Sequence, residues 1–257
     1  MQTRVYTPAM QAVGQFDGGK IKEQKPIGFS GEGSVIRRVG PLFYWAWATS
    51  SEDARIGLHP HQGFEIMTYV VKGQAFHGDT LGTDSTVGAG GVQVMQTGSG
   101  VSHQEKLGAD SELFQIWFEP ELMEAMGRTP TYRQYEHEDF PQVSGSGFHV
   151  KTVIGTGAPI ELVADAQMWD VEIDAGASYA HQVEVGYTLT ALAIRGHGSW
   201  ITTGQAQQIA PFQHKDFIVA AAEVQTGFEI VNSGEEAMRI ILIQVPTRVN
   251  YPLYPKR

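Results

Sequence analysis

A chain of 257 residues, with 42% hydrophobic and 18% charged residues, can fill one large core or two of ordinary size, which excludes a disordered protein. Its net charge of -10 and the lack of a basic stripe exclude a general nucleic-acid surface, because phosphate binding needs clustered Lys and Arg. The absence of cysteine excludes disulfides and thiolate metal sites, so any metal must be held by imidazole and oxygen.

The start of the chain predicts neither export nor membrane insertion. Residues 1–8 lack the apolar core of a signal peptide, and no apolar run approaches the roughly 20 residues that a membrane helix needs. We therefore expect a soluble, cytoplasmic protein with no membrane partner and no direct nucleic-acid partner.

Short β-strands dominate the predicted secondary structure. After an irregular start over residues 1–33, with one or two strands, apolar and aromatic runs alternate with glycine and proline turns, which is typical of all-β domains. The predicted strands of this half cover residues 34–39, 41–47, 55–58, 64–71, 74–79, 92–96 and 113–118.

The composition changes after residue 118. Residues 119–126 predict a short helix with Pro120 in its first turn, and the polar residues 127–147 predict a linker. The β pattern then resumes, with predicted turns at Gly155, Gly176, Gly196, Gly204 and Gly234. We therefore predict an N-terminal domain over residues 1–126 and a C-terminal domain over residues 148–257.

The two halves share a weak internal similarity. Residues 69–74 (YVVKGQ) and 192–197 (LAIRGH) each end a strand with a basic residue and glycine. The simplest interpretation is a duplicated double-sheet jelly roll. Where the first half carries a histidine pair and a later histidine, the second half has only His181 and Phe228, so we expect metal ligands in the first half alone.

Histidines and carboxylates are concentrated in two short segments of the first half. His59, His61 and Glu65 would share one face of an extended strand, because side chains alternate along a strand. His103 and Glu105 share a face in the same way. If the two strands lie side by side, these side chains converge. A single His-x-His pair is more often structural, but the second His-x-Glu segment favours a metal site.

Three imidazoles and one carboxylate suit a first-row divalent metal such as Fe(II), Mn, Ni, Cu or Zn. They would leave two of six octahedral positions for water, O2 or a chelating substrate. The residues themselves leave open whether Glu65 or Glu105 is the fourth ligand. The other carboxylate would orient a ligand or serve as a base.

The same segments resemble the pirin family of the cupin superfamily. The matching pieces are residues 59–65 (HPHQGFE), 68–70, Gly73, His77, Asp79, residues 91–95, 97–98, 100–105 (GVSHQE) and 113–117 (LFQIW). The sequence departs from the family at three positions, where the family usually has Arg, Asp and Trp and this chain has Gln62, Gly91 and Val94.

This resemblance implies a bicupin of two jelly-roll β-barrels, with iron bound in the first. It implies that Glu105 joins His59, His61 and His103 as the fourth ligand. It further implies quercetin 2,3-dioxygenase activity, in which a flavonol or similar small aromatic substrate is opened by O2. Glu65 and Glu105 are then the predicted catalytic carboxylates, with Glu65 either orienting a ligand or acting as a base near the substrate.

Some family members act instead as transcriptional cofactors. The alternative is therefore a metal-binding regulatory protein that acts through a protein partner without turnover. A substrate-sized, partly apolar pocket that is open to the metal would favour the enzyme. We expect its walls to include Met67, Tyr69 and Met95, and we expect His77 to be a hydrogen-bonded strand residue without a ligand role.

Overall fold

The computed structural model describes residues 2–203, 207–222 and 226–256, so the predicted turn at Gly204 lies outside the described residues. Short antiparallel strands make up most of these residues, which confirms the predicted all-β bicupin class. No helix in the described ranges is long and apolar enough to span a membrane.

The strands before residue 140 are β1 (Gln2–Tyr6), β2 (Ala12–Phe16), β3 (Ile21–Ile27), β4 (Leu42–Ser50), β5 (Ala54–His61), β6 (Glu65–Lys72), β7 (Gln74–Asp79), β8 (Asp84–Gly88), β9 (Val92–Gln96), β10 (Val101–Leu107), β11 (Ser111–Phe118) and β12 (Thr131–Tyr135). Those after it are β13 (Gln142–Gly145), β14 (Phe148–Ile154), β15 (Gln167–Ile173), β16 (Ser178–Val183), β17 (Tyr187–Arg195), β18 (Gly198–Thr203), β19 (Ile209–Phe212), β20 (Phe217–Ala221), β21 (Thr226–Asn232) and β22 (Met238–Pro246). The helix α1 covers Leu122–Met126, and 3-10 turns cover Pro8–Met10, Asp17–Gly19 and His137–Asp139.

The chain divides into two units whose limits differ from the predicted domains at both ends. The first unit contains residues 11–139, 162–164 and 250–256, and the second contains residues 2–10, 140–161 and the described part of 165–249. Strand β1 belongs to the second unit because it pairs along β20. The C-terminal tail belongs to the first unit, where the Tyr254 amide donates to Glu119 and the Lys256 ammonium donates to the Phe43 carbonyl.

The predicted linker over residues 127–147 contains two strands. Strand β12 pairs with β9 at the edge of a sheet in the first unit, and β13 pairs with β14 in the second unit. The polar composition of this segment fits edge strands, which keep one side exposed to water.

The first unit is a sandwich of a seven-stranded and a four-stranded sheet. Their orders are β12-β9-β6-β11-β4-β3-β2 and β5-β10-β7-β8. The core lies between them and takes apolar side chains from both sheets: Ile21, Ala48, Val70 and Leu113 from the larger, and Ala54, Ala75, Val87 and Leu107 from the smaller. The sheets are jelly-roll-like without closing into the predicted barrels.

The second unit repeats this plan, as the predicted duplication requires. A seven-stranded sheet, β1-β20-β17-β22-β15-β14-β13, faces a four-stranded sheet, β16-β21-β18-β19. Its core again draws on both sheets, including Val171, Leu189 and Leu242 from the larger and Trp200, Phe228 and Ile230 from the smaller. Phe228, which stands where a ligand would recur, is thus a fully buried core residue.

His181 is a buried imidazole of the second unit. Its ring meets Trp169 edge to face at 4.5 Å between centroids, and its Nδ1 lies 3.2 Å from the Tyr179 hydroxyl. Burial disfavours the charged ring and lowers the pKa of His181 to about 4.

We expect His181 to make the second unit sensitive to acid. Since its pKa is near 6.5 in an unfolded chain and about 4 in the folded unit, its contribution is constant above pH 6.5 and is lost as pH falls towards 4. The loss should approach about 3 kcal/mol of unfolding free energy. Urea unfolding between pH 7 and pH 4 should show this slope in the parent and a smaller one in His181→Phe. An unchanged slope in His181→Phe, with the exposed His197→Gln as control, would contradict the assignment.

Candidate metal centre

Strand pairing brings the three predicted histidine ligands together. His103 on β10 lies directly opposite His59 on the antiparallel strand β5. His61 follows two residues later on β5 and therefore shares the face of His59. The ring nitrogens that these residues offer lie within 4.8 Å of one another.

His103 points its Nε2 atom at the Nε2 atoms of the other two rings. His103 Nε2 lies 3.0 Å from His59 Nε2 and 3.1 Å from His61 Nε2. The Nδ1–H of His59 donates a hydrogen bond of 2.7 Å to the Gly57 carbonyl oxygen. In that tautomer, Nε2 of His59 presents a lone pair towards His103.

Burial and mutual repulsion keep two of these rings neutral. The pKa of His61 and that of His103 are each lowered to about 3, first by desolvation and then by the charge of the neighbouring histidines. Neutral imidazole is the form that binds a transition metal.

The nitrogen spacing fits a bound metal ion. Two nitrogens that bind one metal at about 2.1 Å, at a right angle, lie about 3.0 Å apart (2.1 Å multiplied by the square root of two). The observed spacings of 3.0 and 3.1 Å match this value. Three imidazoles at such distances can share few protons among themselves, so the donor set suits one divalent metal.

Glu105 lies beside the histidines on the same wall of a cavity. Its Oε1 accepts a hydrogen bond of 2.7 Å from the Gln115 amide, whose own oxygen accepts one of 2.9 Å from Thr68. The pairing register of β10 with β5 shifts between His103 and Glu105. A carboxylate oriented by Gln115 is thus available at the site, and its place as fourth ligand stays a prediction.

Glu65 occupies a different environment. The chain turns at Gly63, whose φ of 81° favours glycine, so His59 and His61 end β5 in the four-stranded sheet while Glu65 begins β6 in the seven-stranded sheet. The expectation that one strand face carries all three residues is therefore wrong. The buried Glu65 carboxylate accepts hydrogen bonds of 2.7, 2.7 and 2.8 Å from the Gln96 amide and the backbone of Val163 and Ala164. Its catalytic role stays a prediction, with both oxygens held by these donors.

A cavity of about 360 Å³ opens between the two sheets of the first unit, next to the histidines. His59, His61 and Glu105 form the polar part of its wall on the four-stranded sheet. The wall on the seven-stranded sheet contributes Glu23, Tyr44 and Gln115. The remaining lining is apolar, apart from Gly57: Phe16, Ile21, Phe29, Ala48, Ile56, Leu107, Leu113 and Trp117.

The three residues predicted to form the pocket wall, Met67, Tyr69 and Met95, do not line this cavity. Met67 and Tyr69 pair with Ile116 and Phe114, on the opposite face of the sheet from Leu113, Gln115 and Trp117. Side chains alternate between faces, so β11 shows only its odd-numbered residues to the cavity. Met95 packs instead with Ile66 and Val101.

Trp117 packs its ring against His61 and against two aromatic residues of the cavity wall. Its ring meets His61 edge to face at 4.8 Å between centroids and contacts Phe29 and Tyr44 at 5.2 and 5.5 Å. This packing limits the rotation of the His61 ring. The sequence carried one signal for this wall, namely a glutamine in the middle of the apolar strand LFQIW, which indicates a polar task for that face.

His77 is the hydrogen-bonded strand residue that the sequence predicted. Its Nε2 lies 2.8 Å from Asp79 Oδ2, and its ring stacks on Tyr132 at 4.3 Å between centroids.

We expect His103→Gln to weaken metal binding by at least about 100-fold, because changes in residues that merely orient ligands already cost about 10- to 100-fold. Calorimetric titration of Ni(II) or Zn(II) into metal-free protein measures this. His149→Gln in the second unit, whose ring contacts Ser144 and Gln142, is the matched control and should bind like the parent. Equal affinity in parent and His103→Gln would contradict the site.

We expect Glu65→Ala to act on stability. It leaves the amides of Val163 and Ala164 without acceptors and should lower the free energy of unfolding by about 2–5 kcal/mol, with metal affinity unchanged. Urea unfolding and metal titration on the same samples separate the two effects. Intact stability with lost metal binding would restore Glu65 as a ligand.

Comparisons with known proteins agree with this geometry. The family model described as Pirin matches residues 43–118. A Pirin-like protein 2 from Arabidopsis thaliana is 26% identical over 229 residues, which cover 83% of this chain and 70% of the relative. A Zymomonas mobilis protein named "Putative quercetin 2,3-dioxygenase" is 30% identical over 165 residues, which cover 60% of this chain and 67% of that protein.

Solved structures show the same fold. The bacterial pirin YhhW from Escherichia coli, solved in complex with nickel(II), superposes with a TM-score of 0.76 at 20% identity, covering 95% of this chain and 99% of that one. The sequence relatives, the fold and the histidine cluster between the two sheets thus indicate the same family. This chain belongs to the pirin family of cupins.

Proposed function

We propose that this protein is a metal-dependent dioxygenase that opens a flavonol or a similar small aromatic compound with O2. The observation that carries the proposal is a largely apolar cavity of about 360 Å³ whose wall contains His59, His61 and Glu105. Binding sites for small molecules commonly have about 300–1,000 Å³ and a few convergent polar groups in an apolar lining. Relatives whose printed names include quercetin 2,3-dioxygenase support the reaction class.

In this proposal, His59, His61, His103 and Glu105 hold one divalent metal, with Fe(II) as the ion that the family resemblance implies. When bound, the metal supplies Lewis acidity, which lowers the pKa of a substrate hydroxyl and makes the aromatic system electron-rich towards O2. Nickel in the solved structure of YhhW supports a divalent ion in this kind of site without distinguishing iron from other metals.

The residues around the ligands prepare the site for this task. The Gly57 carbonyl fixes the tautomer of His59, Trp117 holds the ring of His61, and the Gln115 amide orients the carboxylate of Glu105. These contacts reduce the reorganisation that binding requires. The apolar lining leaves a substrate little water to interact with, which strengthens its interactions with the polar wall.

The alternative is a regulatory protein that works through a partner without turnover. That function would need a closed metal site beneath an exposed recognition surface. The cavity next to the histidines, with a volume in the range of substrate sites, favours the enzyme.

The test begins with metal content, measured by mass spectrometry on protein purified without a metal-affinity tag. The protein is then reloaded with Fe(II), Mn, Ni or Cu, and the aerobic loss of quercetin absorbance is followed. We expect close to one metal per chain and turnover with at least one of these ions. In Glu105→Gln, turnover should fall by at least about 100-fold, since both metal retention and orientation suffer.

Glu138→Gln, an exposed carboxylate change, is the control and should keep the parent rate. One metal per chain without turnover of quercetin or related aromatics would overturn the enzymatic proposal and leave the metal site standing. Absence of metal under every loading condition would overturn both.

A further inference from the structure

A second charged group, separate from the metal site, lies beside the cavity and lines it with one member, Glu23. On β3, Lys25 is almost fully buried, and its Nζ lies 2.6 Å from Glu32 Oε1 and 3.2 Å from Glu23 Oε2. One lysine and two carboxylates leave this group with one excess negative charge (1 minus 2). The single lysine therefore cannot neutralise both carboxylates.

Glu23 is the carboxylate that remains short of partners. Its Oε2 is buried and has the Lys25 ammonium at 3.2 Å as its ion-pair partner, with no other donor in reach among the described residues. The side chain of Tyr44 forms a hydrogen bond with Glu23, and desolvation raises the pKa of Glu23 against the opposing effect of Lys25. Glu105 and Glu32 repel Glu23 and raise its pKa further. A buried acceptor without a donor is unfavourable by about 1–3 kcal/mol.

The position of Glu23 suggests what supplies the missing donor. Glu23 on β3 and Tyr44 on β4 belong to the seven-stranded sheet, whereas His59, His61 and Glu105 belong to the facing four-stranded sheet. Facing sheets lie about 10 Å apart, a distance that a flat aromatic molecule of two or three rings can bridge. The apolar lining between these two polar patches suits the rings themselves.

We propose that Glu23, assisted by Tyr44, is a specificity-determining residue that accepts a hydrogen bond from a phenolic hydroxyl of the aromatic substrate, on the side away from its metal-binding oxygens. This inference rests on the proposed function. A hydrogen bond to Glu23 selects polyhydroxylated aromatics over those whose only polar atoms are the chelating oxygens. The ion pairs of Lys25 with Glu32 and Glu23 account for the lysine, but they do not explain why the carboxylate in excess of its charge lines the cavity.

The test compares two flavonols that share the same chelating oxygens. Quercetin carries additional hydroxyls on its rings, and 3-hydroxyflavone carries none. Their dissociation constants are measured by tryptophan fluorescence with Zn(II)-loaded protein, because Zn(II) has no redox chemistry and turnover does not interfere. We expect the parent to prefer quercetin by at least about 10-fold, the effect of a hydrogen bond to a charged group.

Glu23→Gln should reduce that preference by about 10-fold and leave the affinity for 3-hydroxyflavone unchanged. Glu32→Gln is the matched control, because it removes the same charge beside the same lysine and does not line the cavity. It should keep the parent preference. A double variant, Glu23→Leu with Lys25→Met, removes both members of the buried pair and guards against misfolding from an unpaired lysine. It should lose the preference as well.

A preference that persists in Glu23→Gln and in the double variant would overturn this inference, while the dioxygenase proposal would stand. Equal affinity of the parent for both flavonols would do the same. Failure of the metal-loaded parent to bind either compound would overturn this inference together with the proposed function.

Discussion

The site depends on the cost of removing three close imidazoles from water, with His103 buried and His59 and His61 half-buried. Antiparallel pairing places His59 opposite His103, and the two-residue period adds His61 to the same face. Removal from water and mutual repulsion keep His61 and His103 uncharged. Such a cluster has few N–H groups that could donate to its other ring nitrogens, and this is why it suits a metal ion. The hydrophobic core around it supplies the rigidity that holds the rings in place.

The two-sheet architecture separates the tasks of the side chains by face. Strand β11 shows Leu113, Gln115 and Trp117 to the cavity, and it buries Phe114 and Ile116 on the other side. One strand thereby provides a wall of the pocket, an amide that orients Glu105 and an aromatic ring against His61. Since every second residue is committed to a face, function and core are built into the same short segment.

Buried carboxylates in the first unit show how local partners decide a residue's role. Glu65 accepts three hydrogen bonds, two of them from backbone amides, and therefore ties together distant parts of the unit. Glu119 likewise holds Arg38 and the tail residue Tyr254. Glu23 differs because one oxygen remains without a hydrogen bond and the side chain faces a cavity. An acidic residue that is saturated stabilises the fold, whereas one that lacks donors can recognise a ligand.

The sequence alone determined the all-β class, the duplicated plan and the histidines of the site, because turn residues, two-residue periodicity and closely spaced imidazoles are local patterns. It could not decide whether Glu65 shared their face, since that depended on the turn at Gly63 and on β5 and β6 entering different sheets. Nor could it assign Met67 or Glu23 to a wall. Such assignments depend on which strands pair and which faces meet, and these are long-range choices that only the packed core makes.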